Sequence, residues 1–195
     1  MRPPPWFTDT CGATDARGVH TLVRGSGTLP DYISRHVFVE TEFVDSLIYI
    51  PGTTSRADTF LFVATLAHEL QHFVQSCVSP NAGWVNSVLY DYLSTWEPGK
   101  NQETWDIPAE RDAIKVSKQV AESVLGLTAV KASVGSLIVN GPQRKEWEFF
   151  RDLMPAAPFD WIMETDRLVQ RYREKLLSIK DRPPSLDLSK ADWWV

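Results

Sequence analysis

Two imidazoles four residues apart, with a carboxylate next to the first, stand at His68-Glu69-Leu70-Gln71-His72. On a helix, positions four apart share a face, so both rings can reach one ion while Glu69 sits beside it without having to bind it. Zinc suits this arrangement: it accepts neutral imidazole nitrogens, keeps a position open for water and lowers the pKa of that water to about 7. A neighbouring carboxylate can then take the water's proton and pass it to a leaving amine. These residue types at this spacing point to metal-assisted hydrolysis, with His68 and His72 as ligands and Glu69 as general base.

Advancing about 100° per residue, Thr65, His68, Glu69, His72, Gln75 and Ser76 fall within an arc of roughly 120°. Phe62, Val63, Ala64, Leu66, Ala67, Leu70, Phe73, Val74, Cys77 and Val78 occupy the rest. The expectation is a helix buried on most sides and polar along one stripe, with Cys77 in the core. Burying two imidazoles and a carboxylate without partners is expensive, so a metal, or else a hydrogen-bonded seam between helices, must satisfy them.

A hydrolytic zinc site needs a third protein ligand. No histidine follows His72, and the positions where a third histidine motif would place its glycine and histidine hold Gln75 and Val78. Cys77 lies on the apolar side of the same helix. A carboxylate remains, and Glu97, Glu103, Asp106, Glu110, Asp112 and Glu122 are the nearer candidates. Glu110 is favoured: it lies in the first turn after Pro108, on the side continued by Ala113, Ile114, Ser117 and Ala121, and can point into a cleft between helices. Complementing the helix dipole is the plainer role for such a residue. Asp112 is the alternative partner for a ligand histidine, held through its second nitrogen.

Several elements must position these residues. Met1 to about Pro30 reads as an irregular arm with one short strand around His20–Arg24. Arg35–Val44 and Ser46–Ile50 are β-like, the second closed by Pro51-Gly52. A long helix is predicted from near Ser55 to about Val78, ended by Pro80. Helices follow at Asn86–Trp96, from Pro108 to Leu125 or Gly126, at Gln143–Met154 and over Phe159–Lys180. Leu127–Asn140 is ambiguous between strand and helix. A Pro-rich tail from Arg182 ends in Trp193-Trp194-Val195, and these indoles are expected to anchor it onto the body. Strands first and helices after give an α+β order.

HELQHFVQ followed by PAERDA resembles the gluzincins, zinc peptidases with an HExxH helix and a downstream glutamate on another helix. The Glu-x-x-Ala form at Glu110–Ala113 looks like that of compact bacterial and phage-associated members. The resemblance covers about Ser46 to Leu125. It implies a zincin-like α+β fold with a small N-terminal twisted sheet, zinc on His68, His72 and Glu110, and Glu69 as base. It also implies that Ser46–Ile50 is an edge strand along which an extended peptide docks. No counterpart of the family's transition-state-stabilising His or Tyr is evident; Tyr90 and Tyr92 qualify by position only, and both are expected to be core tyrosines.

Composition sets the outer bounds. The 195 residues are 43% hydrophobic and 23% charged, the balance of one ordinary globular domain. A formal net charge of −5, without a basic run, argues against a nucleic-acid partner. The first residues lack the apolar core of a signal peptide, and no apolar run is long enough for a membrane span, so the expected compartment is the cytoplasm. Cys11 and Cys77 are too few for a disulfide framework and are read as free thiols, with Cys11 capping the zinc as the alternative. The expected function is zinc-dependent hydrolysis of peptide bonds in a peptide or protein substrate. Its alternatives are a zincin-fold regulatory or binding protein without cleavage, or a hydrolase of a non-protein amide.

Overall fold

The computed structural model describes residues 59–141, 144–154, 159–180 and 182–194 in full, and the backbone alone of 19–22 and 46–49. The body of the described chain is helical: α1 (Thr59–Val78), α2 (Pro80–Trp96), α3 (Pro108–Leu125), α4 (Leu127–Asn140), α5 (Arg144–Asp152) and α6 (Trp161–Leu177). A single 3-10 turn, Thr104–Asp106, leads into α3.

The breaks between helices follow from local chemistry. Ser79 caps α2 by accepting from Ala82 N, and Pro80 takes the first helical position, where its missing N–H costs nothing. The expected start at Asn86 was therefore six residues late: the proline that stops α1 also opens α2. Pro108 opens α3 in the same way. Gly126, at φ 83° and ψ 147°, turns the chain from α3 into α4 in a region open only to glycine. Leu127–Asn140 is a helix, so its β-branched residues did not prevail over its Ala and Lys spacing. Asp160 caps α6 through the Ile162 and Met163 amides.

The expected α+β, zincin-like architecture is corrected: the described body is all-α. The backbone of Val19–Leu22 (β1) runs antiparallel to that of Ser46–Tyr49 (β2), with Val19 opposite Tyr49. Two four-residue segments form a ribbon too small to be a sheet layer, and such a pair contributes little stability of its own. The β-like stretch Arg35–Val44, the start of the first helix near Ser55 and Cys11 lie outside the described residues.

Two apolar clusters make the core. One joins α2, α6 and the C-terminal tail through Val85, Leu89, Leu93, Val169, Leu176, Leu188 and Trp193, and includes Ile107 and Ala109 at the start of α3. The other joins α1, α3, α4 and α5 through Phe60, Ala64, Ile114, Ala121, Val130, Val134, Trp147 and Phe150. The tail is anchored as expected: Trp193 is 2% exposed and its indole N–H donates to Asp166 at 2.7 Å. α1 is less enclosed than its composition suggests, since Phe62, Val74, Val78 and Cys77 are exposed. Among the described residues no helix is long and apolar enough to cross a membrane.

Candidate metal centre

α3 takes part in both clusters, with Ala109 in one and Ile114 and Ala121 in the other, and Glu110 stands between them in the sequence. Ala64 and Ala67 on α1, with Ala109, Ala113, Ser117 and Ala121 on α3, are buried and small, which lets the two backbones come close. These helices share the most extensive helix–helix contact of the described chain. At the α3 end of that seam the first turn carries Glu110, opposite His68 and His72.

The three side chains converge. Glu110 Oε2 is 3.3 Å from His68 Nε2, and Glu110 Oε1 is 3.3 Å from His72 Nε2. The two Nε2 atoms are 3.0 Å apart, and the rings meet edge-on with centroids separated by 4.6 Å. One ligand atom from each of the three lies within 4.8 Å of the other two. The side chains are 22%, 18% and 20% exposed, so the cluster is sheltered yet open to water and to a small reactant.

The donor set can be tested against metal geometry. Ligands at about 2.0–2.1 Å in a tetrahedral shell stand about 3.3–3.4 Å from one another. Edges of 3.3, 3.3 and 3.0 Å match that spacing with little adjustment. Two imidazoles and one carboxylate leave a fourth direction for water or substrate. The residues present fit a divalent ion.

Electrostatics show what the cluster does when a proton is the only cation available. Burial disfavours the charged form of His72, but the Glu110 carboxylate outweighs it, helped by the charge of Glu69, and the pKa rises to about 9. Burial alone would raise the Glu110 pKa; the His72 and His68 rings instead hold it far below the usual carboxylate range. A sheltered carboxylate with converging imidazoles is a place that attracts positive charge.

Glu69 is buried on α1, 6% exposed, immediately after the first histidine. Asp112 is also buried, and accepts from Gln71 Nε2 at 2.7 Å and Gln75 Nε2 at 2.9 Å. Gln75 in turn meets His72 Nδ1 through its Oε1 at 2.9 Å. Asp112 therefore reaches the histidine through an intervening amide and not by direct contact. Sequence reasoning placed Gln75 on the stripe but gave it no role; its position three residues after His72, on the same face, was the available signal.

Three of the other carboxylates considered as third ligand have different partners, and Glu122 lies in the last turn of α3, far along the helix from Glu110. Glu97 binds Lys100 and Arg171 and accepts from the Tyr172 hydroxyl. Glu103 pairs with Lys145, and Asp106 accepts from the Glu103 amide to close the 3-10 turn. Tyr90 and Tyr92, expected in the core, are instead exposed on α2, and Tyr92 stacks on Trp96. Compared with known protein families, curated proteins and solved structures, the chain matches none.

Proposed function

We propose that the protein is a zinc-dependent hydrolase of amide bonds, with peptides as the substrate class, in which His68, His72 and Glu110 hold the ion and Glu69 is the general base. The observation that carries this reading is the convergence of two Nε2 atoms and a carboxylate at 3.0–3.3 Å. Zinc there would supply Lewis acidity, making water acidic enough to lose a proton near neutral pH and polarising a carbonyl. Glu69 takes the proton of the attacking water and delivers it to the amine nitrogen as the C–N bond breaks. Its sheltered position beside a ligand histidine keeps it from being spent on bulk solvent. An ion held by His68, His72 and Glu110 would have a fourth ligand position left for water or the substrate carbonyl.

The same donor set serves iron(II) in open octahedral sites. Zinc is preferred because two of the three edges have tetrahedral length and because Glu69 supplies the base that hydrolysis requires. Metal analysis of the purified protein separates the two, and about one zinc per chain is expected. His68→Ala or His72→Ala should lose most of it, whereas full zinc in the double variant would remove the site assignment. Glu69→Gln should keep the metal but slow cleavage of a peptide library at least about a hundredfold. Loss of metal in Glu69→Gln would make Glu69 a ligand and refute the mechanism.

A further inference from the structure

Gln75 lies on α1 three residues beyond His72, and its amide is fully committed. Its Nε2 donates to the Ala109 carbonyl at 3.0 Å and to Asp112 Oδ2 at 2.9 Å. A backbone carbonyl can only accept, so this contact fixes which end of the amide carries the hydrogens. Both amide hydrogens are then in use, and Oε1 is the atom facing His72 Nδ1 at 2.9 Å. Oε1 cannot donate, so Nδ1 carries a hydrogen and donates it. In the neutral ring Nε2 then keeps the lone pair, and Nε2 is the atom that meets His68 and Glu110.

We propose that Gln75 is a positioning residue of the metal centre: by accepting from His72 Nδ1 it turns the Nε2 lone pair towards the ion, and the first turn of α3 locks its own orientation. The inference rests on the metal reading above and deepens it. One helix end serves the site twice, through Glu110 directly and through Ala109 and Asp112 by way of Gln75. Gln71 donates to the same Asp112 oxygen at 2.7 Å, so that carboxylate is held from two positions of α1. A carboxylate bonded straight to the imidazole would make the ring a more anionic ligand. The interposed amide keeps the charge of Asp112 one residue further out. A divalent ion with one ligand carboxylate then leaves the centre net positive, as an electrophilic site requires.

The test combines zinc affinity, measured by competition with a chromophoric chelator, with imidazole nitrogen shifts of the zinc-loaded full chain labelled at histidine. The wild-type spectrum should show His72 protonated at Nδ1 and bound to metal through Nε2; metal at Nδ1 would overturn the proposal without any variant. Gln75→Leu should bind zinc about 10–100-fold more weakly. Gln75→Met keeps the length of the side chain but replaces the amide by a thioether, a weak acceptor, and should bind zinc about as weakly as Gln75→Leu. Wild-type affinity in Gln75→Met would reduce Gln75 to packing and overturn its positioning role. If Gln75→Leu does not fold, the wild-type spectrum and Gln75→Met still decide. Wild-type protein that takes no zinc, with His68→Ala indistinguishable from it, overturns the metal reading and this inference together. Wild-type affinity in Gln75→Leu, with His68→Ala impaired, overturns the positioning role alone.

Discussion

Each oxygen of Glu110 faces a different imidazole, so its charge acts on both histidines. Replacing it by Gln removes a charged donor while keeping the shape. Glu110→Gln should weaken zinc binding strongly, whereas Asp112→Asn, one amide removed from His72, should cost about tenfold. Comparable losses from both, read by chelator competition, would mean that Asp112 is itself a ligand. The pKa of His72 adds a pH dependence. Its folded value is raised to about 9 from 6.5, so in metal-free protein it contributes stability fully below about pH 6.5 and loses that contribution as pH rises through about 9. On the proposed reading, zinc would have to displace that proton. Apparent zinc affinity should therefore climb about tenfold per pH unit below about 9 and then level off. A flat profile across that window would show that no proton leaves His72 on binding. At this scale the sequence was informative where spacing alone decides. His68 and His72 share a face because they are four apart, and Glu110 follows from the register of α3. The amide bridge from Asp112 through Gln75 to His72 was not legible, because it depends on how two helices meet.

At the scale of elements, the centre is set by the closeness of α1 and α3. Ala113, fully buried three residues beyond Glu110, marks how little room the seam has. Ala113→Leu should force the helices apart at a cost of about 1–3 kcal/mol. Such sites tolerate displacements of only about 0.5 Å, so zinc affinity should fall as well, although no ligand is touched. Unchanged affinity in a folded Ala113→Leu protein would show that the ligands move independently of the seam. Helix existence was legible where periodicity is long, as on α6, where Trp161, Val169, Tyr172 and Leu176 are buried as their spacing requires. Two local rules cut both ways. Pro80 stops α1, and a proline suits the first turn of the next helix equally well. Cys77, Val74 and Val78 were placed inside because they are apolar, but hydrophobic residues need not be buried, and the packed side of α1 is instead marked by Ala64, Ala67 and Gln75.

At the scale of the molecule, the order of strand-like and helix-like segments suggested a sheet beneath the active-site helix. The described body uses α3 as the support for α1 and leaves β1 and β2 as a short ribbon. Local propensity could not reveal this, since it carries no information on which element covers a given face. Ala109, next to Glu110 in the candidate metal centre, belongs to the same cluster as Trp193, and its carbonyl holds Gln75. The tail is thus tied to the site through packing: Asn81 donates to the Trp193 carbonyl, Ser79 to that of Trp194, and the indole is buried. Trp193→Ala should cost about 3–5 kcal/mol. For a chain of this size that lowers the melting temperature by roughly 2–4 °C per kcal/mol, or about 6–20 °C in all. Zinc at about a hundred times its dissociation constant should restore about 2.7 kcal/mol to any variant that keeps the site. Near-UV circular dichroism during heating, with and without zinc, checks both numbers. A drop in melting temperature without zinc rescue would show that losing the tail also disrupts the seam. A drop of which zinc restores the expected amount, about 2.7 kcal/mol, would confine the damage to the α2–α6 cluster, and no drop would mean that the buried indole contributes nothing to the core.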